Sequence, residues 1–113
     1  MATFAELAGA AVPPDRDSIS LLPALLGRGD QPNHPYLYWE FYEQGVSQAV
    51  LMDGRWKGIR SGKTSAPIQL FDLSHDLPEQ NNLAAAHPEL VARVAEIMHT
   101  AHVDNAYWKL PAQ

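Results

Sequence analysis

The chain has 113 residues, a formal net charge of −5 and no cysteine. That length is enough for one domain with a single hydrophobic core. The acidic balance and the scattered Lys and Arg residues argue against nucleic-acid binding, which needs a basic face. The lack of cysteine excludes a disulfide framework, a thiol nucleophile and a thiolate metal site.

The sequence gives no sign of a membrane partner, because no apolar run in it is long enough to span a bilayer. The first residues, Met1 to Glu6, lack the basic and apolar regions of a signal peptide. We therefore interpret the chain as soluble, and its cellular compartment stays unassigned.

The N-terminal third contains two short segments that are compatible with helices, at residues 3–9 and 19–26. The second segment contains Pro23, which limits it to one or two helical turns. Neither segment can bury much surface by itself. We expect residues 1–35 to lead into a subdomain at residues 36–113, the two parts forming a single domain overall.

The middle of the chain predicts a four-stranded antiparallel meander. Its strand formers are separated by short connections, which make neighbouring strands antiparallel. The strongest turn signal is Asp53-Gly54, because a type I′ hairpin needs positive φ at both central residues. The predicted strands are residues 36–42, 46–52, 55–60 and 68–73.

The first predicted strand has large apolar side chains on both faces. We expect Leu37, Trp39 and Phe41 to lie in the core, and Trp39 and Trp56 to be structural residues. The other face is amphipathic and unusually large, which indicates a missing partner. That face carries Tyr36, Tyr38 and Tyr42.

An amphipathic helix should follow the sheet. Pro88 fits the first helical position, and the apolar residues of the segment 89–101 fall on one stripe. Before it, Asp76 and Glu79 have the spacing of a capping arrangement and are expected to be structural. The predicted fold class is α+β: a four-stranded antiparallel sheet with a C-terminal helix packed on one face, preceded by short helical segments.

A histidine pair is the only pattern that suggests a metal site. His99 and His102 are three residues apart on the predicted helix, with Asp104 nearby. A zinc site normally needs at least three protein ligands, and histidines are common at helix C-termini for electrostatic reasons. We therefore predict no metal site and no catalytic residue in this chain.

Several motifs occur in an order that resembles the end of arylsulfatase-type sulfatases. The segment 70–83 places Leu-Phe-Asp-Leu, Asp76, Glu79 and Asn-Leu at the spacing that recurs near the end of that family. Gly54-Arg55-Trp56-Lys57 resembles its Gly-x-Trp-Lys signature. His87-Pro88-Glu89-Leu90 resembles the start of its final helix. Together with the upstream segments, the resemblance covers nearly the whole chain.

The resemblance implies a C-terminal subdomain that packs on a sulfatase catalytic core and helps to shape the substrate cleft. In the family, the core carries a formylglycine residue and a calcium or magnesium site. We expect those features to belong to sequence preceding Met1, so the chain alone should not be an enzyme and its partner is the missing core. Parent sulfatases are often exported or periplasmic.

Two basic residues are candidates for reaching such a cleft. Arg60 and Lys63, in the segment 60–65 that begins at the end of the third predicted strand, are suited to a sulfate or a sulfated sugar. The alternative is that they are solvated loop charges. Ser65-Ala66-Pro67 begins like the family's Cys/Ser-x-Pro-x-Arg motif, but Gln69 stands in the Arg position, so we interpret it as a loop.

Two other functions stay open at this point. The chain could be a free-standing module that binds a carbohydrate or a protein through its aromatic sheet face. It could also be an active enzyme with an unrecognised site. We further expect the isolated chain to form a homodimer or a small oligomer, because the loss of a core should expose the tyrosine face and the N-terminal segments.

Overall fold

The computed structural model describes residues 1–12, 16–43 and 45–107. The chain divides into two compact units, Met1–His34 and Pro35–Gln113. The first unit contains α1 (Ala2–Leu7) and α2 (Leu22–Leu26). The two helices are joined by a hydrogen bond of 3.0 Å from the Leu21 N–H to Thr3 Oγ1.

The second unit is a four-stranded sheet followed by one long helix. The strands lie in the order β1-β2-β3-β4, and each neighbouring pair is antiparallel. This arrangement confirms the predicted α+β class, with a meander, a C-terminal helix and short N-terminal helices. The elements are β1 (Tyr36–Phe41), β2 (Val46–Met52), β3 (Trp56–Gly62), β4 (Gln69–Asp72) and α3 (Pro88–Thr100).

The β2–β3 hairpin forms where the sequence predicts it. Asp53 and Gly54 have φ values of 53° and 64°, and the Arg55 N–H closes the turn on the Met52 carbonyl at 2.9 Å. Aspartate tolerates this left-handed conformation better than most residues, and glycine has no Cβ to oppose it. The turn fixes the register that places Val50 opposite Gly58.

The hydrophobic core lies between α3 and one face of the sheet, which we call the helix-covered face. Its centre depends on Gly58, because a Cβ there would lie 2.5 Å from Cγ1 of Val94. The absence of a side chain lets α3 approach β3 at this point. The buried apolar residues of this core are Val50, Met52, Ile68, Leu70, Val94 and Met98.

The structure overturns the predicted faces of β1. Trp39 is 51% exposed, whereas Tyr38 packs against the core. The pairing of β1 with β2 determines which face of β1 is covered, since Tyr38 lies opposite the buried Val50 and Trp39 lies opposite Ala49. In β1 alone the two faces are both aromatic, so alternation could not identify the inner one. Leu37 and Phe41, also expected in the core, are 38% and 50% exposed.

Candidate functional site

The face of the sheet opposite α3 carries an exposed apolar surface, which we call the open face. Its central row runs across three strands from Trp39 through Ala49 to Ile59. Leu37 and Phe41 flank Trp39 on the same side of β1. These five residues define the candidate site.

A shallow cavity of about 300 Å³ opens on this face beside Trp39. Apolar side chains make up most of its wall, and Ser47 is exposed at its rim. Its one charged lining residue, Glu40, directs its carboxylate to His102 on the helix-covered side. The cavity therefore suits an apolar surface better than an anion. It is lined by Trp39, Glu40, Phe41, Ser47, Gln48, Ala49 and Ile59.

The two predicted cleft residues are in different environments. Arg60 lies within β3 because that strand extends to Gly62, beyond the predicted loop start. Its Nη1 donates to Gln48 Oε1 at 3.3 Å, and its Nε is buried without a protein partner in the described chain. Lys63 is exposed in the loop that follows. Of the pair, Lys63 is therefore the one presented to solvent.

Asp72, the last residue of β4, accepts several hydrogen bonds at the end of the sheet where β3 begins. Arg55 binds it with two bonds, Nε to Oδ1 at 2.9 Å and Nη2 to Oδ2 at 2.6 Å. The Ser74 hydroxyl also donates to Oδ1 at 2.5 Å. The Arg55 guanidinium, together with Ser74, holds the pKa of Asp72 far below its usual range. The carboxylate thus stays charged, and it links Arg55, just before β3, to Ser74 in the turn after β4.

Trp56 lies between this ion pair and the start of α3. The Arg55 guanidinium is 4.8 Å from the centre of its ring, and the His87 ring lies 5.1 Å from it on centroids. Trp56 also packs against the core. Trp56 thus has packing contacts on several sides, in contrast to the half-exposed Trp39.

Asp76 and Glu79 lie in a turn. Their spacing predicts a capping arrangement for a helical turn, but the structure forms no helical turn at these described residues. Asp76 accepts the backbone N–H groups of Gln80 at 3.0 Å and Asn81 at 2.7 Å, and these bonds lower its pKa. Glu79 has a positive φ of 56° and binds Lys57 Nζ at 2.5 Å.

Sequence analysis missed a contribution from Asn82. Its Oδ1 accepts the Leu70 N–H at 3.0 Å, and the Leu83 N–H donates to the Leu70 carbonyl at 2.8 Å. These bonds satisfy backbone groups on the outer edge of β4, which would otherwise be open to pairing. The signal was present in the motif, but a side-chain bond across twelve residues cannot be inferred from spacing.

The donor set for the family's metal ion is not found in the described ranges. They contain no group of three or more His, Asp or Glu side chains that could hold a metal. His102 is bound to two carboxylates, and His99 is exposed on α3. Ser65 is an exposed loop residue. The residues present therefore do not fit a calcium, magnesium or formylglycine site, and no chemical step is assigned to them.

None of the helices within the described ranges is long and apolar enough to cross a membrane.

Comparison with known proteins gives relatives of one kind, although no family model matches the chain. The chain is 33% identical over 107 residues to Delta 4,5-hexuronate-2-O-sulfatase of Bacteroides thetaiotaomicron, covering 91% of this chain and 21% of that protein. It is also 33% identical over 107 residues to Arylsulfatase K of Gallus gallus, covering 87% of this chain and 20% of that protein.

Solved structures show the same relation. A 2-O GAG sulfatase is similar with a TM-score of 0.65 and 30% identity, over 88% of this chain and 21% of that one. The chain thus spans about a fifth of the length of the relatives it matches.

Proposed function

We propose that this chain, which corresponds to the C-terminal subdomain of arylsulfatase-type sulfatases, packs on a sulfatase catalytic core and helps to shape its substrate cleft. The observation that carries the proposal is the open face. One face of the sheet packs against α3, and the other face has a half-exposed tryptophan on the edge strand β1. Such an apolar surface is typical of a protein interface.

The open face has the composition of an interface centre. Trp39 is a side chain of the type that dominates binding energies, and small or aliphatic residues, Ala49 and Ile59, surround it. The charged groups of the neighbouring row are already engaged, since Lys57 is paired with Glu79. Docking against an apolar surface of the core would therefore desolvate few unpaired charges.

In this proposal the core catalyses sulfate ester hydrolysis, and this subdomain forms part of the surface of the substrate cleft. Lys63 is the residue we propose to approach the substrate, since an ammonium on an exposed loop suits a sulfate group. Arg60, which binds Gln48, would act by holding β3 in place. The names of the relatives include sulfatases for a hexuronate and for N-acetylgalactosamine, which favours a sulfated sugar as the substrate class.

A free-standing carbohydrate-binding module is the second candidate, because an exposed tryptophan beside a cavity could stack on a sugar ring. The cavity wall offers few polar groups that could fix sugar hydroxyls, whereas sugar sites need several. We therefore rank it below docking on a core. We also propose that the isolated chain self-associates. The contact surface would be the open face and not the expected tyrosine face, because Tyr38 packs against the core.

A chimera tests the proposed function. The matched C-terminal segment of the Bacteroides hexuronate sulfatase is replaced by this chain, and activity is compared with the parent enzyme and with the parent lacking the segment. We expect an active, soluble chimera, an inactive truncated parent, and no sulfatase turnover by the isolated chain with or without calcium or magnesium.

Two results would count against the proposal. The first is a chimera no more active than the truncated parent, although the isolated chain is folded. The second is turnover of an aryl sulfate by the pure isolated chain that is abolished by a substitution within it. That second result would favour an enzyme with its own site.

A further inference from the structure

A chain of hydrogen bonds runs across the helix-covered face of the sheet. Arg60 Nη1 donates to Gln48 Oε1 at 3.3 Å, and Gln48 Nε2 donates to the Tyr38 hydroxyl at 2.9 Å. The Tyr38 hydroxyl in turn donates to Glu40 Oε2 at 2.5 Å. Each group uses its donor in the same direction, so the chain ends on Glu40 as an acceptor. An ionised Glu40 carboxyl, which can only accept, is the best end for this chain.

His102 meets the same carboxylate from the other side. It follows α3, and its side chain is only 9% exposed. Its Nδ1 lies 2.9 and 2.8 Å from the two oxygens of Glu40, and its Nε2 lies 2.8 Å from Asp104 Oδ1. A carboxylate can only accept, so both ring nitrogens must donate. The arrangement therefore fits a protonated imidazolium and leaves a neutral ring one donor short.

The surrounding groups favour this charge state. The hydrogen bonds that His102 donates to Asp104 and Glu40 raise the pKa of His102, against the opposing effect of its burial. Burial alone would raise the pKa of Glu40, but bonds from Tyr38, Tyr42 and His102 outweigh it and lower that pKa. Burial raises the pKa values of Tyr38 and Tyr42, with Glu40 adding to the effect, so both hydroxyls stay neutral.

The groups that face His102, directly or through the chain, come from each strand nearby and from its own segment. From β1 and the residue after it come Tyr38, Glu40 and Tyr42, the last with its hydroxyl 3.5 Å from Nδ1. From the other strands come Gln48 and Arg60, and from the C-terminal segment comes Asp104.

His102 joins parts of the chain that are about sixty residues apart. The residues after it, 103–107, are exposed throughout, with Val103 at 76% and Tyr107 at 97%. The largely buried His102 therefore fastens the segment 101–107 to β1. Loss of this contact would affect that segment far more than the core.

We propose that His102 is a pH-dependent latch, which holds the segment 101–107 against β1 while both ring nitrogens donate to Glu40 and Asp104, and which releases the segment when the ring loses a proton. The folded-state pKa is raised, so the stabilisation is complete below the unfolded pKa of about 6.5. It is lost as the pH rises through the folded-state pKa. The latch is thus closed in mild acid and open in alkali.

Two measurements on the full chain test the latch. NMR titration of the histidine ring protons gives the pKa of His102. Backbone ¹⁵N relaxation gives the order parameters of residues 103–107 at each pH. We expect a pKa of His102 above the ordinary histidine value of about 6.5, and order parameters at 103–107 that fall as the pH passes it.

Variants separate the latch from general destabilisation. His102→Gln should remove the pH-dependent step in the order parameters, whereas His99→Gln should leave it unchanged. Glu40→Gln should bring the pKa of His102 back towards its ordinary value. A His102 that titrates at or below the ordinary histidine value of about 6.5 would overturn the proposal, as would order parameters at 103–107 that follow the same pH course in wild type and His102→Gln.

Discussion

Leu70→Ala is expected to lower the free energy of unfolding by about 2–5 kcal/mol, the range for removing a large aliphatic side chain from a packed core. Leu70 is fully buried, and its cross-strand neighbour is Gly58, which has no side chain to fill the space. The lost methyl groups would leave a cavity under α3 that neighbouring residues can close only in part. Urea unfolding followed by circular dichroism measures the change.

Leu77→Ala is the matched control for this substitution. Leu77 lies only seven residues further on in the same motif, but it is 77% exposed. Its loss should change the free energy of unfolding by no more than about 0.5 kcal/mol. Equal unfolding midpoints for the two variants would show that the core is not where the structure places it.

Trp39→Thr should have different effects in the isolated chain and in the sulfatase chimera. Threonine keeps a β-branched side chain that suits a strand. Because Trp39 is half exposed, we expect a loss of about 1 kcal/mol or less in the isolated chain. In the chimera the same substitution should cost about 2 kcal/mol more, as for a tryptophan at the centre of an interface.

The additional cost in the chimera is measured from the urea concentration at which the enzyme loses activity. Tyr107→Thr is the control, since Tyr107 is 97% exposed and lies outside the open face. It should change neither protein. An equal loss from Trp39→Thr in both proteins would mean that the open face does not contact the core.

Much of the fold could be predicted from the sequence. The Asp53-Gly54 turn and the apolar stripe of α3 are local patterns with direct physical causes. The strand formers between the turns predict the four strands of the meander. The motif from Leu70 to Leu83 was sufficient to indicate the family, because its order and spacing are unusual.

The face of β1 could not be predicted in the same way. Alternation states which residues share a face but not which face is covered, and in β1 both sides carry large side chains. The covered face is identified by β2 and β3, where Val50 and Gly58 lie under α3. A glycine opposite a valine in the neighbouring strand is a weak signal in the sequence, because it becomes informative only once the register of β2 and β3 is known.

The polar contacts were the least predictable part of the molecule. His102 and Glu40 are 62 residues apart and meet only because the segment after α3 passes the end of β1. Spacing suggested a pairing of His99 with His102, which share a helix in the predicted pattern. In the structure α3 ends at Thr100, so His102 lies beyond it and turns to Glu40.

Protection of a cysteine on the open face tests the central claim most directly. The chain has no cysteine, so Ser47→Cys places a single, nearly isosteric thiol beside the cavity, and Ala92→Cys places one on the exposed side of α3. We expect both thiols to react with a maleimide in the dilute isolated chain. In the chimera, Ser47→Cys should be strongly protected and Ala92→Cys should react as before. Equal labelling of Ser47→Cys in the isolated chain and the chimera would contradict docking through the open face.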